Sequence, residues 1–185
     1  MVFTRPSQYI LLLIILCVTL TGCSVFNRKE KAPRYLIPEM DTAREQYTLA
    51  DRQYRDAKGM FAPEARNTEL RKSVQAFEMV AQRFPLDLRY TPVADLMIAN
   101  VYREVGELDK AEPQYRRVLS RYSDDEAIRI DALIGLGQTL DDLRRPSEAK
   151  VHYKMVIDQY SSSQDPAIRR SVELARARYV QIREL

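Results

Sequence analysis

The chain reads as all-α: a superhelix of paired helices closed by a final helix. Three observations lead there. Only five glycines occur in 185 residues, and from about residue 41 apolar side chains recur at spacings of three and four, with no stretch that alternates as a strand would. The aromatic residues Phe77, Tyr115 and Tyr153 stand 38 residues apart, each within a similar segment. The helices that precede the last two of these segments carry apolar residues on more than one side, as a helix sandwiched between neighbours needs and a surface helix does not.

The first element is an address. An apolar run, Ile10 to Leu20, follows Arg5 and leads into Thr21, Gly22 and Cys23. A charged start, an apolar middle and small residues at the end make a secretory signal peptide, and the run is shorter than the ~20 residues a spanning helix needs. Small residues followed at once by cysteine resemble the lipobox of bacterial lipoproteins. That resemblance implies cleavage of residues 1–22, a diacylglyceryl thioether on Cys23 and acylation of its new amine, with palmitate as the acyl type. The alternative is an ordinary signal peptide whose cleavage site abuts a cysteine. In lipoproteins of this kind an aspartate after the cysteine marks retention in the inner membrane. Ser24 is compatible with export to the outer membrane, where the protein would hang from the lipid and face the periplasm.

Composition narrows the chemistry. The formal charge of +3 falls to +2 when Arg5 leaves with the signal, a near-neutral balance that does not suggest nucleic acid as a partner. Cys17 lies inside the signal and Cys23 is the lipid site, so no pair remains for a disulfide. One histidine without a spare cysteine argues against a zinc site of the usual ligands. Apart from the covalent lipid, no cofactor is expected.

Residues 23–40 read as the lipidated cysteine and a flexible basic tether. The stretch Asn27 to Arg34 is polar, with prolines at 33 and 38, and cannot bury enough apolar surface to fold alone. It is either a solvated spacer or one whose Arg28, Lys29, Lys31 and Arg34 also touch anionic headgroups, at about 1 kcal/mol per charge.

Residues 41–185 form the repeat domain. Ser73, Phe77, Val80 and Phe84 fall in register with Ala111, Tyr115, Val118 and Tyr122, and again with Ala149, Tyr153, Val156 and Tyr160. Offsets of four, three and four put each set on one helical stripe. The small residue permits close approach of a neighbour, and the aromatic fills the gap beside it. Helices over 94–102 and 132–140 precede the last two copies. These residues resemble the tetratricopeptide repeat (TPR): Ala99 with Tyr102 and Gly137 with Leu140 match its first helix, Gly106 its turn, and Ala111 with Tyr115 and Ala149 with Tyr153 its second helix. The resemblance implies a right-handed α/α superhelix of TPR-like hairpins. Departures are Asp95 where a large apolar residue is usual, Arg144 in place of the turn glycine, and a period of 38 rather than about 34. The earliest copy reads as degenerate: its first helix, roughly 42–58, is separated from Ser73 by a segment with Gly59 and Pro63, taken as an insertion over 59–70. Pro113, inside an expected helix, predicts a late start or a kink. After Asp165, which can cap, and Pro166, Ile168, Val172, Ala175, Tyr179 and Ile182 make the apolar stripe of a closing helix, and solenoids need such an end.

No catalytic or metal constellation emerges. His152 has no partner cysteine or second histidine and reads as a structural or exposed side chain, with a nucleophile–base pairing through it as the alternative. Asp124, Asp125 and Glu126 read as acidic residues before a helix start, where the dipole favours them; metal binding or acid–base work is the other possibility. The concave face of such a superhelix is where partners bind, and in the TPR family the first helix of each pair lines it. The register then assigns Asn100, Arg103, Glu104, Gln138, Asp141 and Asp142 to a partner-binding groove. Their mixed signs suit an extended peptide. A lipobox joined to such repeats is similar to envelope lipoproteins of β-barrel assembly (the BamD type) and to Tol-Pal-associated coordinators, which are scaffolds without enzymatic activity. The expected function is a membrane-anchored, non-enzymatic interaction scaffold of the cell envelope, serving outer-membrane protein assembly. The alternatives are coordination of cell-wall, division or pilus assembly, and an enzyme or solute-binding lipoprotein acting through the acidic groove.

Overall fold

A computed structural model describes residues 35–183, and what the sequence leads one to expect of residues 1–34, Cys23 among them, lies outside the described residues. Tyr35–Leu185 form a compact unit of their own. Seven helices follow in order: α1 (Ala43–Lys58), α2 (Pro63–Arg83), α3 (Tyr90–Glu104), α4 (Leu108–Arg121), α5 (Glu126–Asp142), α6 (Pro146–Tyr160) and α7 (Pro166–Arg183), and among the described residues there is no strand. No helix among them is long and apolar enough to cross a membrane.

Local chemistry sets the helix ends. Thr42 caps α1 in a reciprocal box with Glu45, which satisfies two donors that a helix start leaves free. Asp87 and Asp125, 38 residues apart, act alike: Asp87 Oδ1 accepts from Tyr90 N at 2.6 Å and Asp125 Oδ1 from Ile128 N at 3.0 Å. Asp165 Oδ1 accepts from Ala167 N at 2.6 Å at the start of α7. The turns after α3 and α5 are also a matched pair. Gly106 has φ +78° and Arg144 φ +61°, and in both the next amide returns to the helix, Glu107 N to Tyr102 O and Arg145 N to Leu140 O, each at 2.8 Å. Glycine adopts that conformation freely; Arg144 does so against its own Cβ.

Each helix packs on the next, and α1, α3, α5 and α7 also touch one another in succession, whereas α2, α4 and α6 do not. Helices in mutual contact on one side and splayed on the other bend the stack, with the odd-numbered helices inside. The repeat aromatics Phe77, Tyr115 and Tyr153 are fully buried. Their fit depends on α5: a Cβ at Gly135 would overlap the Tyr115 ring, and one at Gly137 would lie 2.8 Å from Tyr153 Cε1. Tyr115 and Tyr153 come from the helices on either side of α5, so the middle helix is buried on both flanks, as its sequence predicts. Val172, Ala175 and Ile182 of α7 are buried and close the stack.

Two expectations change. The segment taken as an insertion over 59–70 is a four-residue turn followed by helix: α2 begins at Pro63 and runs for 21 residues. Pro63 starts that helix, since its missing N–H falls at a position without an intrahelical partner. Of the two expectations for Pro113, the late start does not occur: α4 starts at Leu108 and runs through the proline, which denies Asp109 O its usual amide donor. At the other end of the domain, residues 35–40 lie against the first hairpin. Tyr35 N donates to Gln75 Oε1, Met40 N to Gln46 Oε1, and Gln46 Nε2 to Pro38 O, while Glu39 pairs with Arg83 at 2.9 Å.

Candidate functional site: the inner face

The inner face is built by α1, α3, α5 and α7, reached from behind by the tyrosines of α4 and α6. Tyr115 O–H donates to Asn100 Oδ1 at 2.6 Å, so Asn100 is spoken for by the scaffold. Glu104 turns to α1, where it accepts from Tyr54 O–H at 3.1 Å and pairs with Lys58 at 2.9 Å. Arg103 reaches across to Asp142 of α5 at 3.8 Å, a loose pair between half-exposed side chains that contributes little to stability. Gln138, the register partner of Asn100, stands half-buried on α5. The six residues therefore do not make one cluster. Glu104 and Asn100 bind neighbouring helices together, and Arg103, Gln138, Asp141 and Asp142 remain around the junction of α3, α5 and α7.

That junction holds the polar group sequence reasoning overlooked. Tyr153 is fully buried, yet its hydroxyl has no hydrogen-bond partner among the described residues; Arg103 Nε, also buried, has none either. Burial pushes the Tyr153 hydroxyl up to about 12; Arg178 and Arg103 pull it down, and Asp141 and Asp142 push it up. Those four charges belong to α3, α5 and α7, so the hydroxyl of an α6 residue has come through to their side. At neutral pH it is protonated and can both donate and accept. A buried polar group without a partner costs about 1–3 kcal/mol, and an unmet hydroxyl on a binding face suits a ligand with donors or acceptors. The signal was present in the repeat: Phe77 needs no partner in its slot, whereas Tyr115 and Tyr153 carry a hydroxyl that needs one.

Other acidic residues have structural work. Asp125 is the α5 cap. Asp95, buried in the slot that Leu133 fills one repeat later, accepts from Tyr122 O–H at 2.5 Å and pairs with Arg117 and Arg121 at 3.3 and 3.2 Å. It ties α3 to the end of α4. His152 lies on α6, away from this junction, and its Nδ1 has no partner among the described residues.

Residues 131–163, the greater part of α5 and all of α6, match the family model of the tetratricopeptide repeat. The fold is tetratricopeptide-like. Among solved structures, a TPR-like protein from Chlorobium tepidum TLS is similar at a TM-score of 0.50 and 20% identity, with 76% of this chain and 93% of that one covered. No curated protein matches the chain.

Proposed function

We propose that the chain is a membrane-anchored, non-enzymatic scaffold of the bacterial envelope that holds an extended segment of another protein against its inner face. The observation that carries the reading is the unpartnered Tyr153 hydroxyl, in the field of the carboxylates of Asp141 and Asp142 and the guanidinium groups of Arg103 and Arg178. Peptide backbone offers alternating N–H and C=O groups and so meets a hydroxyl that donates and accepts; side chains of either sign find a counter-charge in Asp141 and Asp142 or in Arg103 and Arg178. Anchoring is supported by the lipobox-like end of the signal, with the lipid on Cys23. The joint likeness to lipoproteins of β-barrel assembly and Tol-Pal coordination supports an outer-membrane address and service to outer-membrane protein assembly.

One experiment compares three proteins: the natural chain, Tyr153→Phe, and the charge exchange Arg103→Glu with Asp141→Lys. A partner crosslinked and copurified with the natural chain is expected to be weakened about tenfold by Tyr153→Phe, the scale of one hydrogen bond, and lost with the charge exchange, with helicity by circular dichroism unchanged in both. Undiminished capture by both variants removes the inner face from the account.

A further inference from the structure

Helix α7 carries a strip of apolar side chains that water reaches. Its cap fixes its register. Asp165 Oδ1 accepts from Ile168 N at 3.3 Å as Asp125 Oδ1 accepts from Ile128 N at 3.0 Å, so α7 repeats α5 at an offset of 40 residues. The two sides of α5 meet different neighbours: Gly135 lies under Tyr115 of α4, and Gly137 under Tyr153 of α6. On α7 the counterpart of the first side looks back to α6. Val172 and Ala175 are buried there, and the Lys150 ammonium stands 5.7 Å from the Tyr179 ring centroid. The counterpart of the second side is open. Ile134, Gly137 and Leu140 of α5 are buried, whereas Leu174 is 42% exposed, Val180 53%, and Ala177 between them is exposed too. Among the described elements α7 touches only α5 and α6.

A helix that only closes a solenoid carries a polar outer face. Leu174, Ala177 and Val180 instead keep the apolar–small–apolar order that α5 presents to α6, and that Leu96, Ala99 and Tyr102 give α3 at the same positions. Spacings of three put them on one face, and the small central residue lets a second helix come close. The rim of this strip is basic. Arg169, Arg170 and Arg176 are exposed, and the one acidic residue among them, Glu173, is held by Arg176 at 3.4 Å. Arg169 and Arg170 form no ion pair among the described residues. Two copies of α7 crossed antiparallel at Ala177 set this arginine rim against itself, which disfavours a second copy as the occupant. We infer that the outer face of α7 is a docking site for an acidic amphipathic helix of a partner protein, which lies on α7 as α6 lies on α5. Its apolar side chains cover Leu174, Ala177 and Val180, and its carboxylates meet the arginines. The site is separate from the Tyr153 junction and stands or falls without it.

The probe is a fluorescent peptide that copies the 15 residues of α6 with Lys150→Glu and Lys154→Glu, so that its Ala149, Tyr153 and Val156 stripe has an acidic rim. A second peptide copies α6 with Glu148→Lys and Asp158→Lys. Binding to the full chain is read by fluorescence anisotropy. The acidic peptide is expected to bind at least about tenfold more tightly than the basic one. Leu174→Ser with Val180→Ser is expected to weaken it more than about tenfold. Val151→Ser with Met155→Ser, an exposed apolar pair on α6, is expected to leave it unchanged. Arg169→Glu with Arg170→Glu is expected to reverse the order of the two peptides, and helicity by circular dichroism to stay the same throughout. Failure of the acidic peptide to bind, equal binding of both peptides, or equal loss in both serine pairs overturns the inference. A dimer of the chain alone in sedimentation, dissolved by Leu174→Ser with Val180→Ser, makes a second copy the occupant and overturns it as well.

Discussion

His152 shows how a single side chain can be placed by its neighbours rather than by its own chemistry. Burial, and then the Arg116 guanidinium, hold its imidazole below the usual value, with Glu148 and Glu112 pulling the other way. In the unfolded chain it titrates near ~6.5. As pH falls below that, the unfolded chain takes up a proton that the folded one still refuses. The contribution of the neutral ring is thus fully present above ~6.5 and is lost as pH falls through the lower folded value. Urea midpoints taken from about pH 7 to pH 5 should fall more steeply for the natural chain than for His152→Gln; parallel slopes would mean that the ring is not held neutral. The same scale marks what one sequence can and cannot show. That His152 is the single histidine of the chain was legible from counting. That Asp95 sits in a core slot was legible from the register. Its rescue by Arg117, Arg121 and Tyr122 was not, because those residues meet it only once α3 and α4 are laid side by side. The idle hydroxyl of Tyr153 was hidden for the same reason: an unmet hydrogen bond is a property of the assembled junction.

Among the elements, α5 is under the tightest constraint. Tyrosines from α4 and α6 lie over Gly135 and Gly137, so the backbone of α5 serves as the packing surface on both flanks. Alanine normally favours a helix over glycine by ~1 kcal/mol. At position 135 the new methyl would have to displace a fully buried ring, an overpacking cost of about 1–3 kcal/mol. Gly135→Ala is therefore expected to lower stability to urea even though it improves helix propensity. The turn that ends α5 predicts the opposite sign. Arg144 is exposed, its backbone is left-handed, and its counterpart is Gly106; Arg144→Gly should gain about 1 kcal/mol. A gain for the first change or a loss for the second would contradict the packing and turn geometry described. Repeat register made these elements readable, since period and stripe survive in any one copy. The start of α2 was misread because Gly59 and Pro63 signal a break and a helix start equally well. Only the helix that continues from Pro63 decides between them.

The whole molecule gains its inner face from unequal contact: the odd-numbered helices touch in succession and the even-numbered ones do not. That asymmetry gathers Arg103, Asp141, Asp142, Arg178 and the Tyr153 hydroxyl around one junction, while α4 keeps an outward face that includes exposed Ser120. Position in the stack, rather than residue type, should govern contact with another protein. The direct measurement is in-cell photocrosslinking, with a photoreactive side chain at Gln138 on the inner face or at Ser120 on the outer. A discrete protein adduct from Gln138, absent from Ser120 and diminished by Tyr153→Phe, is the predicted result. Adducts from Ser120 alone, or the same set from both positions, would contradict the claim that the inner face holds the partner.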